Sequence, residues 1–476
     1  MKSFYITSTL PYVNAKPHIG FGMEIVRADV VARYKRAQGF NVFFNTGTDE
    51  HGTKIYQKAA ELGIPVQQYV DEAALNFKNL KEQLNISYDK FTRTTDPGHI
   101  AAAQEFWKRC SDAGFIDKKK YSGLYCIGCE MFIPEKDLVN GECSMHPGRK
   151  LEFIEEENYF FKYSAFAPQL LELYKRADPF TLPASRLNEI TSFVKSGLED
   201  FSISRLASKM PWGIPVPGDI DHVLYVWFDA LTNYISTLGW PNTGGNFEKF
   251  WVQGTPVQYC GKDNLQHQSA RWQAMLMAAG VPGTHKVIVN GFILGSDGQK
   301  MSKSIGNVVD PLDIVNEYGI DAFRYMMTRE IHPFEDTAFG LDKCKEIYNA
   351  HLANGLGNVV SRVMKMSETH IAAPVDVSDV IIPDAYHKAF DAYNLQAAAN
   401  VIWQVVGEID QTITDTEPFK LVKTEREKAI VVIADLVKKV HLIATMLVPF
   451  MPETAEKILS SVRDNKKPES LFARKE

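Results

Sequence analysis

The run Pro17-His18-Ile19-Gly20 places an imidazole and a glycine just ahead of a stretch of helical periodicity. Glycine lets backbone come close to a ligand, and the start of a helix favours a phosphate group. His18 at such a place can donate a hydrogen bond to a phosphate oxygen where charge develops; the same four residues also suit an ordinary turn. A second run, Gly295-Ser-Asp-Gly-Gln-Lys-Met-Ser-Lys-Ser304, follows a strand-like segment and sets Lys300 and Lys303 among glycines and serines. That composition fits a loop that closes over a triphosphate and neutralises its charge in the transition state, with a solvated basic loop as the plainer alternative. A third is Cys126-x2-Cys129-x13-Cys143-x2-His146. Three thiolates and an imidazole are the ligand set of a closed tetrahedral site, so the spacing predicts one structural Zn2+ per chain rather than a catalytic one. The alternative is cysteines packed in a core.

These residues need a scaffold. Residues 4–8 have the texture of a short buried strand, Met23, Val26, Val30 and Tyr34 recur at helical spacing, and 41–45 predict a second strand. Strand, helix and strand joined by short links imply a parallel α/β sheet. Helical patterns continue over 52–62, 66–84 and 98–112. From about 118 the texture changes to turn residues, clustered cysteines and short alternating stretches, which predicts a small inserted domain. Strand-like runs return at 222–228, 256–260 and 286–294, with helical character at 265–279. Past 345 the pattern is helical, over 346–366, 384–413, 420–446 and after Pro452, as in a helical bundle. The predicted organisation is a parallel α/β sheet domain in two halves, 1–117 and 213–345, split by a zinc-binding insertion at 118–212 and followed by an all-α bundle at 346–476.

A chain of 476 residues supports more than one core. With 45% hydrophobic and 23% charged residues, it has the composition of a globular protein. A net charge of −6 argues against a surface coated in basic residues, though a local basic groove can still bind nucleic acid. The N-terminus lacks the basic and apolar regions of a secretory signal, and no window has the apolar length of a membrane span. The expectation is a cytoplasmic protein with no membrane contact.

His18 with Pro17 and Gly20, and Lys300-Met-Ser-Lys-Ser304, resemble the two signatures of the class I aminoacyl-tRNA synthetases, a family with a split Rossmann-type domain and a helical tRNA-binding domain. The resemblance covers nearly the whole chain. The single-zinc insertion, Thr7 to Gly20, Asn45 to Thr53, Glu155 to Lys162 and Leu224 to Ala230 are similar to the methionine-specific branch. That resemblance implies ATP-dependent activation of L-methionine to methionyl-adenylate, then transfer to the 3′ end of tRNA(Met), with Mg2+ accompanying ATP. It implies His18, Lys300 and Lys303 as catalytic residues, and Pro17, His18, Gly20, Gly261, Asp263, Lys300 and Lys303 against ATP. Leu10, Tyr12, Trp227, Ala230, Tyr234 and His267 would line the methionine pocket, with Asp49 on the substrate ammonium. A polarizable thioether suits such an aromatic-rich pocket. Asn358, Arg362 and Phe419 would meet anticodon bases.

The sequence departs from the family pattern at Phe21, where a second histidine is usual, at His267-Gln268, at Leu231 and at Phe419, where tryptophan is usual. The rival readings are a class I enzyme for valine, leucine, isoleucine or cysteine, and a tRNA-binding protein without catalysis. The branched-chain enzymes carry a large editing insertion, for which 118–212 is too short, and two intact lysines argue against loss of catalysis. A chain that stops after the helical bundle suggests a monomer.

Overall fold

Strand β1 (Ser3–Thr7) is buried over four of its five residues, as in a parallel sheet covered on both faces. It pairs in parallel with β2 (Asn41–Thr48), Tyr5 opposite Phe43, and β2 pairs in parallel with β3 (Lys90–Arg93). Helix α1 (Ile19–Ala37) lies between β1 and β2 in the chain, and α2 (Pro97–Asp112) opens with a proline, whose missing N–H costs nothing in a first turn. Next come β4 (Ile116–Cys126) and β5 (Glu152–Phe161), an antiparallel ribbon running from Ile116 opposite Phe161 to Tyr125 opposite Glu152. The computed structural model describes residues 2–126, 131–133, 138–144, 148–299, 301 and 308–476. Cys129, His146, Lys300 and Lys303 lie outside the described residues.

After β6 (Thr181–Leu182) and β7 (Asp219–Leu224) the fold departs from expectation. Residues 222–228 were expected as one strand, but the strand stops at Leu224 and α3 (Val226–Leu231) and α4 (Asn233–Ser236) follow. A short apolar run satisfies a buried helix as well as a strand. Here Phe228 packs edge-on to Phe106 and Trp107 of α2, with centroids 5.7 and 5.4 Å away. Strands β8 (Thr255–Gly261) and β9 (Lys286–Asn290) complete a sheet ordered β3-β2-β1-β8-β9-β6 among the described residues. Strands β1, β2 and β3 run outward one way and β8 and β9 the other, with the earlier β6 at that edge. The reversal falls between β1 and β8, where open α/β sheets bind their ligands beyond the carboxyl ends of the strands.

The chain divides into two units. The first comprises Met1–Lys16, Phe40–Asn79 and Tyr88–Val289; the second comprises Pro17–Gly39, Leu80–Ser87 and Asn290–Glu476. The first holds the sheet and an aromatic core in which Phe106 stacks on Trp272 at 5.5 Å and meets Trp240 at 5.6 Å.

In the second unit α1 is fixed by two buried guanidinium groups. Arg27 donates to the carbonyls of Met327, Ile331, His332 and Pro333 and to Asn290 Oδ1, at 2.7–3.2 Å. Arg324, on α5 (Ile320–Tyr325), donates to Asp29 Oδ2 on α1 at 2.8 Å and to the carbonyls of Leu84, Asn85, Pro449 and Phe450. Asp29 also accepts from Arg33 and Ser87. Burial pushes the Asp29 carboxyl up, but the Arg324 and Arg33 guanidiniums and these bonds outweigh it and hold it below its ordinary value.

Past Ala338 every regular element among the described residues is helical. These include α6 (Asn358–His370), α7 (Leu395–Thr416), α8 (Pro418–Leu421), α9 (Arg426–Leu447) and α10 (Pro452–Asp464). The stretch 384–413, expected as one helix, is interrupted. Tyr393 takes φ 54°, and the Asn394 side chain accepts from Ala397 N, capping a new helix. Among the described residues no helix is long and apolar enough to cross a membrane.

Candidate functional site

The chain leaving β1 turns back along the residues that leave β2. Asp49 N donates to Pro11 O at 3.0 Å and Val13 N to Asp49 O at 3.3 Å, so Tyr12 and Asp49 lie as partners in a parallel bridge. Thr9 Oγ1 reaches Tyr259 O on β8 at 3.4 Å. Leu10 and Asp49 are buried, at 8% and 4% exposure, while Tyr12 is half-buried with Lys54 Nζ 6.0 Å from its ring. Leu10, Tyr12 and Asp49 thus lie just beyond the carboxyl ends of the adjacent strands β1 and β2.

Across from them, α3 and α4 supply Trp227, Ala230 and Tyr234. Trp227 is half-buried and stacks on His267, centroids 3.6 Å apart and planes 1° from parallel. His267 starts a π-type turn over His267–Arg271, a helical irregularity frequent at functional sites. Burial and then the Arg271 guanidinium push the His267 imidazole well below its ordinary pKa, so the ring is neutral and accepts from Arg271 Nη1 at 3.1 Å. Tyr234 is 1% exposed; its carbonyl accepts from Tyr5 OH at 2.9 Å, and Gln268 Nε2 donates to its hydroxyl. Gln268, noted in the sequence only as a departure, therefore has a structural role. All seven residues expected around methionine lie in the first unit, with Tyr12 bridged to Asp49 and Trp227 stacked on His267.

Further polar residues that the sequence did not single out hold this wall. Asn45 of β2 donates to Asn233 Oδ1 at 3.1 Å, and Asn233 donates to Ala230 O at 2.6 Å. Asp229 is fully buried and accepts from His51 and His99. Burial pushes the Asp229 carboxyl up, but the two imidazoles prevail and hold it below its ordinary value. A lone carboxylate inside the apolar run YVWFDAL was the available signal, since charge in such a run requires a partner.

Gly261 ends β8, and Asp263 lies exposed in the short turn after it, also in the first unit. Pro17, His18 and Gly20 belong to the second. His18 is the exposed N-cap of α1, and its Nδ1 accepts from Gly20 N at 3.1 Å. That bond puts the proton of the neutral ring on Nε2, making Nε2 a donor. A Cβ on Gly20 would sit 3.0 Å from His18 Cε1 and Nδ1, so the glycine admits the capping ring. Phe21, at the position of the second histidine, is buried.

Asn358 is exposed at the start of α6. Arg362, one turn on, pairs with Asp410 of α7 at 2.7 Å. Phe419 is 45% exposed. Of the expected zinc ligands, Cys126 ends β4 and Cys143 lies in a two-rung hairpin; both are buried, at 1% and 2%. Among the described residues alone, no group of three candidate ligands converges.

A doubly wound sheet with aromatic and acidic residues gathered at its reversal, preceding a helical region, defines a class that binds its ligands at strand ends. The comparisons narrow it. The family model for class I tRNA synthetases (M) matches residues 4–150 and 136–364, and that for the anticodon binding domain of methionyl tRNA ligase matches 366–472. The methionine–tRNA ligase of Clostridium acetobutylicum is 41% identical over 474 residues, covering 96% of this chain and 73% of that protein. The methionine–tRNA ligase of Synechocystis is 39% identical, covering 96% and 88%. The structure of Mycobacterium tuberculosis methionyl-tRNA synthetase in complex with methionyl-adenylate superposes with a TM-score of 0.89 at 35% identity, covering 96% of this chain and 93% of that one. The chain belongs to the methionine branch of the class I tRNA synthetases.

Proposed function

We infer the following division of labour for a chain that, as a member of this family, ligates methionine to tRNA at the expense of ATP. Asp49 holds the substrate ammonium, and Leu10, Tyr12, Trp227, Ala230, Tyr234 and His267 surround the thioether. The observation that supports this reading is that these residues belong to one unit, with Tyr12 bridged to Asp49 beyond the strand ends and the neutral His267 flat on Trp227. The methionine carboxylate attacks the α-phosphorus of ATP, giving methionyl-adenylate and pyrophosphate, and the terminal ribose of tRNA then attacks the adenylate carbonyl. No side-chain nucleophile is needed; the protein positions the reactants and stabilises charge. His18 Nε2–H donates to a phosphate oxygen, Pro17 and Gly20 shape that approach, Gly261 and Asp263 meet the ribose, and Lys300 and Lys303 neutralise the phosphates alongside Mg2+.

Asn358, Arg362 and Phe419 read the anticodon, a role supported by the exposure of Asn358 and Phe419 and by the match of the anticodon-domain family model to the following residues. Cys126, Cys129, Cys143 and His146 hold one structural Zn2+. The burial of Cys126 and Cys143 fits thiolates closed off from solvent. The deciding experiment is ATP–pyrophosphate exchange with each of the twenty amino acids in turn. Exchange should require methionine; strong exchange with another amino acid and none with methionine would overturn the reading.

A further inference from the structure

Asp229 has no part in the division of labour above, yet it occupies a singular place. It lies two residues from Trp227 and one from Ala230, is 0% exposed, and accepts from His51 Nδ1 and His99 Nε2, each at 2.7 Å. The two imidazoles come from separate elements. His51 follows β2, two residues beyond Asp49, and His99 is in the first turn of α2. His99 carries the connection further, its Nδ1 lying 2.9 Å from Ser236 Oγ on α4, the helix that bears Tyr234.

The chemistry fixes the direction of each bond. An ionised carboxylate only accepts, so both rings turn an N–H toward it. The His51 proton is therefore on Nδ1. His99 likewise carries a proton on Nε2, and its Nδ1 shares a hydrogen bond with the Ser236 hydroxyl. Bonds from two donors to one charged group are stronger than neutral ones, and both lie where water does not compete. They connect two parts of the proposed methionine site: the segment carrying Asp49, and the helices carrying Trp227, Ala230 and Tyr234. Hydrophobic packing of Phe228 on Phe106 and Trp107 already anchors α3.

We propose that Asp229 is a positioning residue for amino-acid selection: by holding His51 and His99 together it fixes the width of the pocket between the ammonium-binding Asp49 and the aromatic wall. This rests on the reading that those residues hold methionine. Losing Asp229 frees α3 to shift against the Asp49 segment. A misplacement of ~1 Å costs on the order of 100-fold in a positioned site, so a shift of about half an ångström costs about tenfold.

The test is steady-state ATP–pyrophosphate exchange with wild type, Asp229→Ala, Asp229→Asn and His51→Ala, with thermal melts on each. Asp229→Ala should raise KM for methionine about tenfold and weaken discrimination against ethionine, which is longer by one carbon. KM for ATP should stay within about twofold. Asp229→Asn should recover most of the loss, because an amide bonds both rings once one of them changes tautomer. Should Asp229→Ala fail to fold, His51→Ala, which removes one arm of the bridge, should show the same split between the two KM values. Folded variants in which KM for methionine and the ethionine ratio are unchanged, or in which both KM values rise together, overturn the proposal. Wild-type exchange that does not depend on methionine would instead overturn the reading of the pocket.

Discussion

Replacing Phe419 with alanine should separate tRNA recognition from folding. The ring sits on α8, directed by Pro418 and by Glu417 at φ 40°, with Lys420 Nζ 5.9 Å from its centroid. A core phenylalanine cut to alanine costs ~3–5 kcal/mol. This ring buries only a little over half its surface, so on the scale of ~1.5–3 kcal/mol for complete burial its loss costs about 1 kcal/mol. That shifts the melting temperature by a few degrees at most in a chain of this length. A base stacked on an aromatic ring is worth ~1–3 kcal/mol. At ~1.4 kcal/mol per factor of ten, charging at subsaturating tRNA should fall roughly 5- to 150-fold. The assays are aminoacylation against tRNA concentration, methionine-dependent pyrophosphate exchange without tRNA, and a melting curve. Exchange should be normal and charging impaired. Normal charging in a stable Phe419→Ala variant would refute the stacking role, and a large loss of stability would show that the exposed ring does structural duty.

Lys303→Ala should slow adenylate formation on the order of 100-fold or more, as loss of a preorganised charge stabiliser does, with methionine affinity little changed; a single-turnover rate close to wild type would exclude the loop from catalysis. Metal analysis of purified protein should find one Zn2+ per chain, lost in Cys129→Ser; full retention by that variant would reject the ligand set. His267 provides a pH test. Its folded pKa lies well below the ordinary 6.5, so the unfolded chain takes up a proton first as pH falls, and stability drops from 6.5 downward by up to ~1.4 kcal/mol per pH unit. Denaturant titrations at pH 7 and 5 should show this slope in wild type and a smaller one in His267→Gln. Equal slopes would mean that the imidazole is not held neutral.

The sequence carried the local features well. Continuous apolar runs marked β1, β2, β8 and β9, because a strand buried on both faces needs no alternation. Gly20 was read as a place where backbone and ligand come close; in the structure the group beside it is the His18 ring. Long-range geometry was not legible. His51 and His99 lie 178 and 130 residues from Asp229, and no periodicity links residues that only the sheet topology brings together. The stack of Trp227 on His267 was equally hidden; the family resemblance implied two pocket residues but no face-to-face pairing. Residues 222–228 misled because apolar residues in a short run suit either conformation until the packing of Phe228 decides.

The paired guanidinium groups around α1 bear on how the chain can be dissected or recombined. A fragment starting at residue 346 would keep α6 through α10 but discard Arg324, and the carbonyls of Pro449 and Phe450 would lose the donor that ends their helix turn. Such a fragment should fray where α9 gives way to α10, however complete its helices look on paper. In a chimera that takes its helical portion from a relative, positions 29 and 324 must come from the same parent, since removing one partner of a buried ion pair costs ~3–5 kcal/mol. The useful cut points therefore follow the reach of two arginine side chains rather than the order of helices along the chain.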